Sequence, residues 1–164
     1  MFSNLSPFTK LHVVISLIGI VSGLVVMFGL LAGQKLNQWT ALFLISTVVT
    51  SVTGFFFPFH GVTPAIVVGI ISLVLLAVAI VARYARHLAG AWRWIYVVTA
   101  MISLYLNVFV LVVQLFQKVP ALKALAPTQS EPPFAVTQLV VLALFVSLTI
   151  VAAIKFRGEQ LQRA

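Results

Sequence analysis

Five long apolar segments joined by short connections run through the chain, at residues 11–33, 40–58, 64–84, 94–117 and 134–155, and none carries an acidic residue. A hydrocarbon core of about 30 Å is crossed by roughly 20 apolar residues of helix. Lipid offers no water to unpaired backbone N–H and C=O groups, so a crossing segment must satisfy them internally, as a helix does. The expected fold is therefore an all-α integral membrane protein, with residues 1–164 as a single transmembrane domain built as a bundle of five transmembrane helices.

Composition narrows the chemistry. Hydrophobic residues make up 62% of the 164 positions and charged residues 7%, against about 45–50% and 25% in soluble proteins. With no cysteine, disulfides, thiolate metal sites, cysteine nucleophiles and iron–sulfur ligation all drop out. The net charge of +8 comes from ten basic residues scattered between apolar spans, so it is read as a topology signal rather than a nucleic-acid footprint. Met1 to Lys10 lack the positive cluster of a secretory leader, and the apolar run that follows is too long for one. That run is expected to be a retained first helix.

Five crossings sort the basic residues into two sets. Lys10, Lys118 and Lys123 lie with the amino terminus, whereas Lys35, Arg83, Arg86, Arg93, Lys155, Arg157 and Arg163 lie on the opposite side. Lys/Arg excess marks cytoplasmic loops, so the expected orientation is amino terminus outside and carboxyl terminus in the cytoplasm. Trp39, Tyr84, Trp92, Trp94 and Tyr96 gather at the inner interface of that arrangement. His87, beside Arg86 there, is left for contact with phosphate headgroups.

The second and third spans meet through Phe-Pro-Phe-His-Gly-Val-Thr-Pro at 57–64, where two prolines and a glycine force a tight turn. The fourth connection is longer. Its 119–127 stretch, bounded by Pro120 and Pro127, suits one or two helical turns lying in the interface. Small residues should line helix contacts in lipid, and His12, Ser16, Gly19 and Gly23 share one face of the first span. Ala65, Gly69, Ser72 and Ala79 do the same in the third. Hydroxyls at 46, 47, 50, 51 and 53 in the second span can bond back to helix carbonyls.

Two polar constellations stand out. At 100° per residue, Tyr96, Thr99, Ser103, Asn107, Gln114 and Gln117 of the fourth span fall within an arc of about 80°, a polar seam that must face protein or water. It either joins helices by hydrogen bonds or lines a cavity. The second constellation lies at the outer surface: His12, His60, Gln114, Gln117, Gln129, Glu131, Thr137 and Gln138. Histidine is the commonest metal ligand, and a carboxylate can orient it. Two histidines with no third nitrogen or thiolate make a poor zinc signature. These outer residues therefore read as interfacial groups in water, as bonds ordering the fourth connection, or as a cofactor site through His12 and His60.

The only carboxylates are Glu131 and Glu159, and neither Gly-x-Ser-x-Gly nor His-Glu-x-x-His occurs, so no enzyme activity, metal or cofactor is expected. No ionisable group lies within a span away from its ends, as proton-coupled transport would need. In size and pattern the chain resembles the small multi-span proteins of bacterial inner membranes. The expected role is a non-enzymatic accessory, assembly or interaction subunit that packs in the bilayer against itself or a membrane protein partner. A small-solute carrier or channel along the fourth helix and a haem- or metal-binding redox helper are the alternatives.

Overall fold

A computed structural model describes residues 6–58, 61 and 64–156. The described chain is helical, with no strand. Its elements are α1 (Pro7–Leu31), α2 (Asn37–Gly54), α3 (Pro64–Ile80, continued by a π-turn over Val81–Ala85), α4 (Trp92–Lys118), the short α5 (Pro120–Leu125) and α6 (Pro132–Lys155). Among the described residues four helices are long and apolar enough to cross a membrane: α1, Pro64–Ala85, α4 and α6. The fifth long helix, α2, opens on Asn37 and Gln38 and carries a run of hydroxyl residues. Its mean hydropathy is too low to place it with the other four.

Local chemistry sets the helix ends. α1, α3, α5 and α6 all begin at one end of the bundle, and each opens on a proline, Pro7, Pro64, Pro120 and Pro132. Proline suits that position because the first N–H of a helix has no intrahelical partner and its fixed φ is already helical. Ser6 caps α1 by accepting the Thr9 N–H at 3.2 Å. At the other end α1 closes on Gly33, whose φ of +72° lets the Gln34 N–H return to the Gly29 carbonyl at 2.7 Å. α4 stops at Val119, held extended by the proline that follows.

α4 is the axis of the bundle. It packs on α1, α3, α5 and α6, while α2 lies against α1 and α3. The main core joins Val26, Met27, Leu30, Phe43, Leu76, Tyr96, Val97, Met101, Leu104, Phe145 and Phe156. A smaller cluster of Val112, Phe116 and Ala126 seats α5 beside α4 and α6. The core is therefore weighted toward the end where α1 finishes and α4 begins. α2 runs the full height between the ends, meeting Arg83 through Asn37 at one and His12 through Thr53 at the other.

Close approach of α1, α2 and α4 depends on glycine. A Cβ on Gly23 would stand 2.5 Å from Leu104 Cδ1 and 2.9 Å from the Phe43 ring, and one on Gly19 would stand 3.2 Å from Thr47 Oγ1. Gly23→Leu is expected to destabilise the detergent-solubilised protein by about 1–3 kcal/mol through overpacking. Val21→Leu, on the 58% exposed lipid-facing side, is expected to stay within about 0.5 kcal/mol. Thermal unfolding of the two variants side by side checks both values.

Candidate functional site

The polar face of α4 is used in packing for most of its length. Tyr96 and Ser103 are fully buried and Thr99 nearly so. Ser103 donates to the Thr99 carbonyl at 2.8 Å and Thr99 to the Ile95 carbonyl at 2.6 Å. Tyr96 O–H lies 3.5 Å from Thr40 Oγ1 of α2. Half-buried Asn107 donates its amide to Thr47 Oγ1 at 3.2 Å, directly over the space left by Gly19. Gln114 is half-buried and Gln117 exposed, so the seam emerges from the packed interior toward its carboxyl end. An open apolar groove of about 400 Å³ between α1 and α2, lined by residues such as Val14, Val21, Trp39 and Leu42, lies on the face of α1 opposite Gly19 and Gly23.

At the proline-started end the polar residues form separate groups. His12 Nδ1 lies 2.8 Å from Thr53 Oγ1, and the Thr53 hydroxyl gives its proton to the Val49 carbonyl at 2.7 Å. The imidazole also meets the Phe57 ring edge-on at 5.0 Å. His60, its expected companion, lies outside the described residues. Gln129 donates to the Val113 carbonyl at 2.8 Å and accepts from Gln117 at 3.2 Å. Gln138 of α6, largely buried, donates to the Phe109 carbonyl at 3.2 Å. Both glutamines thus fasten the α5–α6 region to consecutive turns of α4. Thr137 returns its hydroxyl to the Pro133 carbonyl.

Glu131 closes its own turn. Its carboxylate accepts from the Thr128 N–H at 3.2 Å, the Thr128 hydroxyl at 2.9 Å and the Ser130 N–H at 3.1 Å. Partial desolvation raises the Glu131 pKa, but these bonds and one from its own N–H together hold it below the ordinary carboxylate range.

The opposite end holds a group that charge counting hides. Arg83 is only 6% exposed, because the π-turn over Val81–Ala85 turns it into the bundle. π-Turns recur at functional positions. Its Nη2 donates to the Lys35 carbonyl at 2.8 Å and to Asn37 Oδ1 at 2.7 Å, and its guanidinium lies 5.1 Å from the Tyr96 ring centre. Arg86 stacks over Trp92 at 5.1 Å and Arg93 over Trp94 at 5.8 Å. The turn between them places His87 and Leu88 at φ of +49° and +59°, a backbone region costly for residues with a Cβ. The available sequence signal was position: Arg83 falls inside the 64–84 span rather than after it.

Among the described residues no group of three or more His, Cys, Asp or Glu side chains comes together. Comparison with family models, with curated proteins and with solved structures finds no match to the chain.

The depressed Glu131 pKa fixes the sign of a pH effect. A carboxyl held below its unfolded value contributes fully above that value, and the contribution fades as pH falls through the folded one. Amide exchange at Thr128 and Ser130, relative to intrinsic rates, is expected to be slow at pH 7 and to quicken below about pH 4. In Glu131→Gln it is expected to be fast at both.

Proposed function

We propose that this chain is a five-crossing, non-catalytic protein of a bacterial inner membrane that serves as an accessory or interaction subunit in a membrane complex. The observation that carries the reading is the closure of the α4 seam. Asn107 meets Thr47, Tyr96 meets Thr40, and Thr99 and Ser103 bond within α4. Polar groups spent on joining helices or on carbonyls of their own helix do not line a path for a solute. What the chain offers its surroundings is its outer apolar surface, most of all along α6, where Val136, Leu139, Val140, Leu144 and Ile150 are exposed.

The fifth crossing is assigned to α2. Its 18 residues extend about 27 Å at 1.5 Å each, close to the hydrocarbon thickness. Two of its hydroxyls return to carbonyls of the same helix, Ser46 to Leu42 and Thr53 to Val49, which lowers their cost in lipid. With five crossings the Lys/Arg excess places the Arg83 end in the cytoplasm and the amino terminus outside. Alkaline phosphatase fused after Gln129 is expected to be active and after His87 inactive. The reverse pattern would invert the orientation.

The accessory role predicts that mild-detergent extraction yields a native mass above that of the single chain. It also predicts that Thr99→Cys, Ser103→Cys and Asn107→Cys stay unlabelled by a small aqueous thiol reagent in intact membranes. Asn107→Leu should then shift stability by no more than about 1–2 kcal/mol, the range of interhelical hydrogen bonds in membranes. A single-chain mass with labelling at 103 and 107, and liposome flux lost in Asn107→Leu, would replace this reading with that of a carrier.

A further inference from the structure

At the Arg83 end, two arginines keep guanidinium donors that meet no anion among the described residues. Among the described residues the partners of the Arg83 guanidinium are neutral: the Lys35 carbonyl, the Asn37 side chain and the rings of Tyr96 and Tyr84. Its Nη1 is buried with no acceptor among the described residues, and so is Nε of Arg93. A buried polar atom without a partner is rare and points to something the protein alone does not supply. Lys35, Arg83, Arg86, Arg93 and Lys155 all lie at this end, whereas Glu131, the one carboxylate among the described residues, lies at the other.

Aromatic stacking arranges two of these cations. Arg83 lies over Tyr96 and Arg86 over Trp92, each at 5.1 Å. Trp92 and Tyr96 are four residues apart in α4, so they sit on one helix face about 5–6 Å apart. Arg93 opens the same turn. Several guanidinium forks can donate to the oxygens of a single phosphate, and planar bidentate geometry favours arginine for that task. Trp92, Trp94 and Tyr84 around them are residues of the bilayer interface, where phosphates of lipid headgroups lie.

We propose that Arg83, Arg86 and Arg93 form a phosphate-binding site at the α3–α4 turn, and that the phosphate is delivered by the headgroup of an anionic glycerophospholipid. Arg83 supplies the buried, pre-aligned donor, while the partly exposed Arg86 and Arg93 close over the headgroup. Lipid chains then lie against the neighbouring apolar helix faces. The site is independent of the accessory role, since a protein working alone could carry it, and the two readings fail in different experiments.

The test is native mass spectrometry of the delipidated full chain titrated with phosphatidylglycerol, phosphatidylcholine or inorganic phosphate. Phosphatidylglycerol is expected to bind more tightly than phosphatidylcholine. The double variant Arg86→Gln/Arg93→Gln is expected to lose about tenfold or more in affinity for phosphatidylglycerol, taking surface-lipid attraction per cation as the guide. Lys118→Gln/Lys123→Gln, at the other end, is expected to bind as the parent does. Arg83→Lys, which keeps the charge and removes the fork, should bind severalfold more weakly; if it does not fold, the double variant decides. Unchanged binding in Arg86→Gln/Arg93→Gln, or an equal loss in the lysine control, would overturn the site. Displacement of the lipid by millimolar inorganic phosphate would assign it to a soluble phosphate instead. Glu159→Gln is expected to leave lipid binding unaltered, and a tenfold gain would name the chain's own carboxylate as the occupant.

Discussion

The absence of water around its helices governs how this protein uses polar side chains. Short hydroxyl groups solve the problem at home. Ser16, Ser22, Ser46, Thr53, Thr99, Ser103, Ser147 and Thr149 each bond the carbonyl four residues earlier in the same helix. Longer side chains reach across instead: His12 to Thr53, Asn107 to Thr47, Arg83 to Asn37 and Lys35, Gln129 to Val113 and Gln138 to Phe109. Side-chain length thus separates residues that only need to be tolerated in lipid from residues that tie one helix to another.

This division explains what could be read from the sequence. Apolar length alone marks α1, α3, α4 and α6, and the arc from Tyr96 to Gln117 marks the polar side of α4. α2 is harder, because its hydroxyl run lowers its hydropathy even where, as at Ser46 and Thr53, the hydroxyl closes on its own helix. The outer polar residues share a surface in sequence terms, yet Glu131 folds onto Thr128 and Ser130 while Gln129 and Gln138 turn to carbonyls of α4. Which partner an amide or carboxylate takes is a matter of reach across a loop, and spacing does not encode it. Arg83 was hidden for another reason. Counting it as a loop charge ignores the π-turn, and five-residue hydrogen-bond spacing has no signature in hydrophobic periodicity.

The two ends of the bundle consequently differ in kind. One carries three lysines, Lys10, Lys118 and Lys123, with proline-started helices, a carboxylate folded into its own turn and amides fastened to α4. The other is cationic, with left-handed residues at Leu36, His87 and Leu88 and an arginine that holds the α1–α2 connection from beneath. The same arginine ties α3 to α2 and to the α1–α2 connection through Nη2, while its Nη1 is buried without an acceptor among the described residues.

The core's offset toward the Arg83 end bears on how such a chain can change over generations. Around Leu30, Phe43, Leu76, Tyr96 and Phe156, a replacement must match its neighbours in volume, because packed interiors register a single methylene. Toward Pro7 and Pro132 many side chains face lipid, where one apolar residue serves about as well as another. Drift should therefore accumulate at one pole of the molecule while the other stays fixed, giving a gradient of sequence freedom along the bilayer normal rather than between one helix and the next.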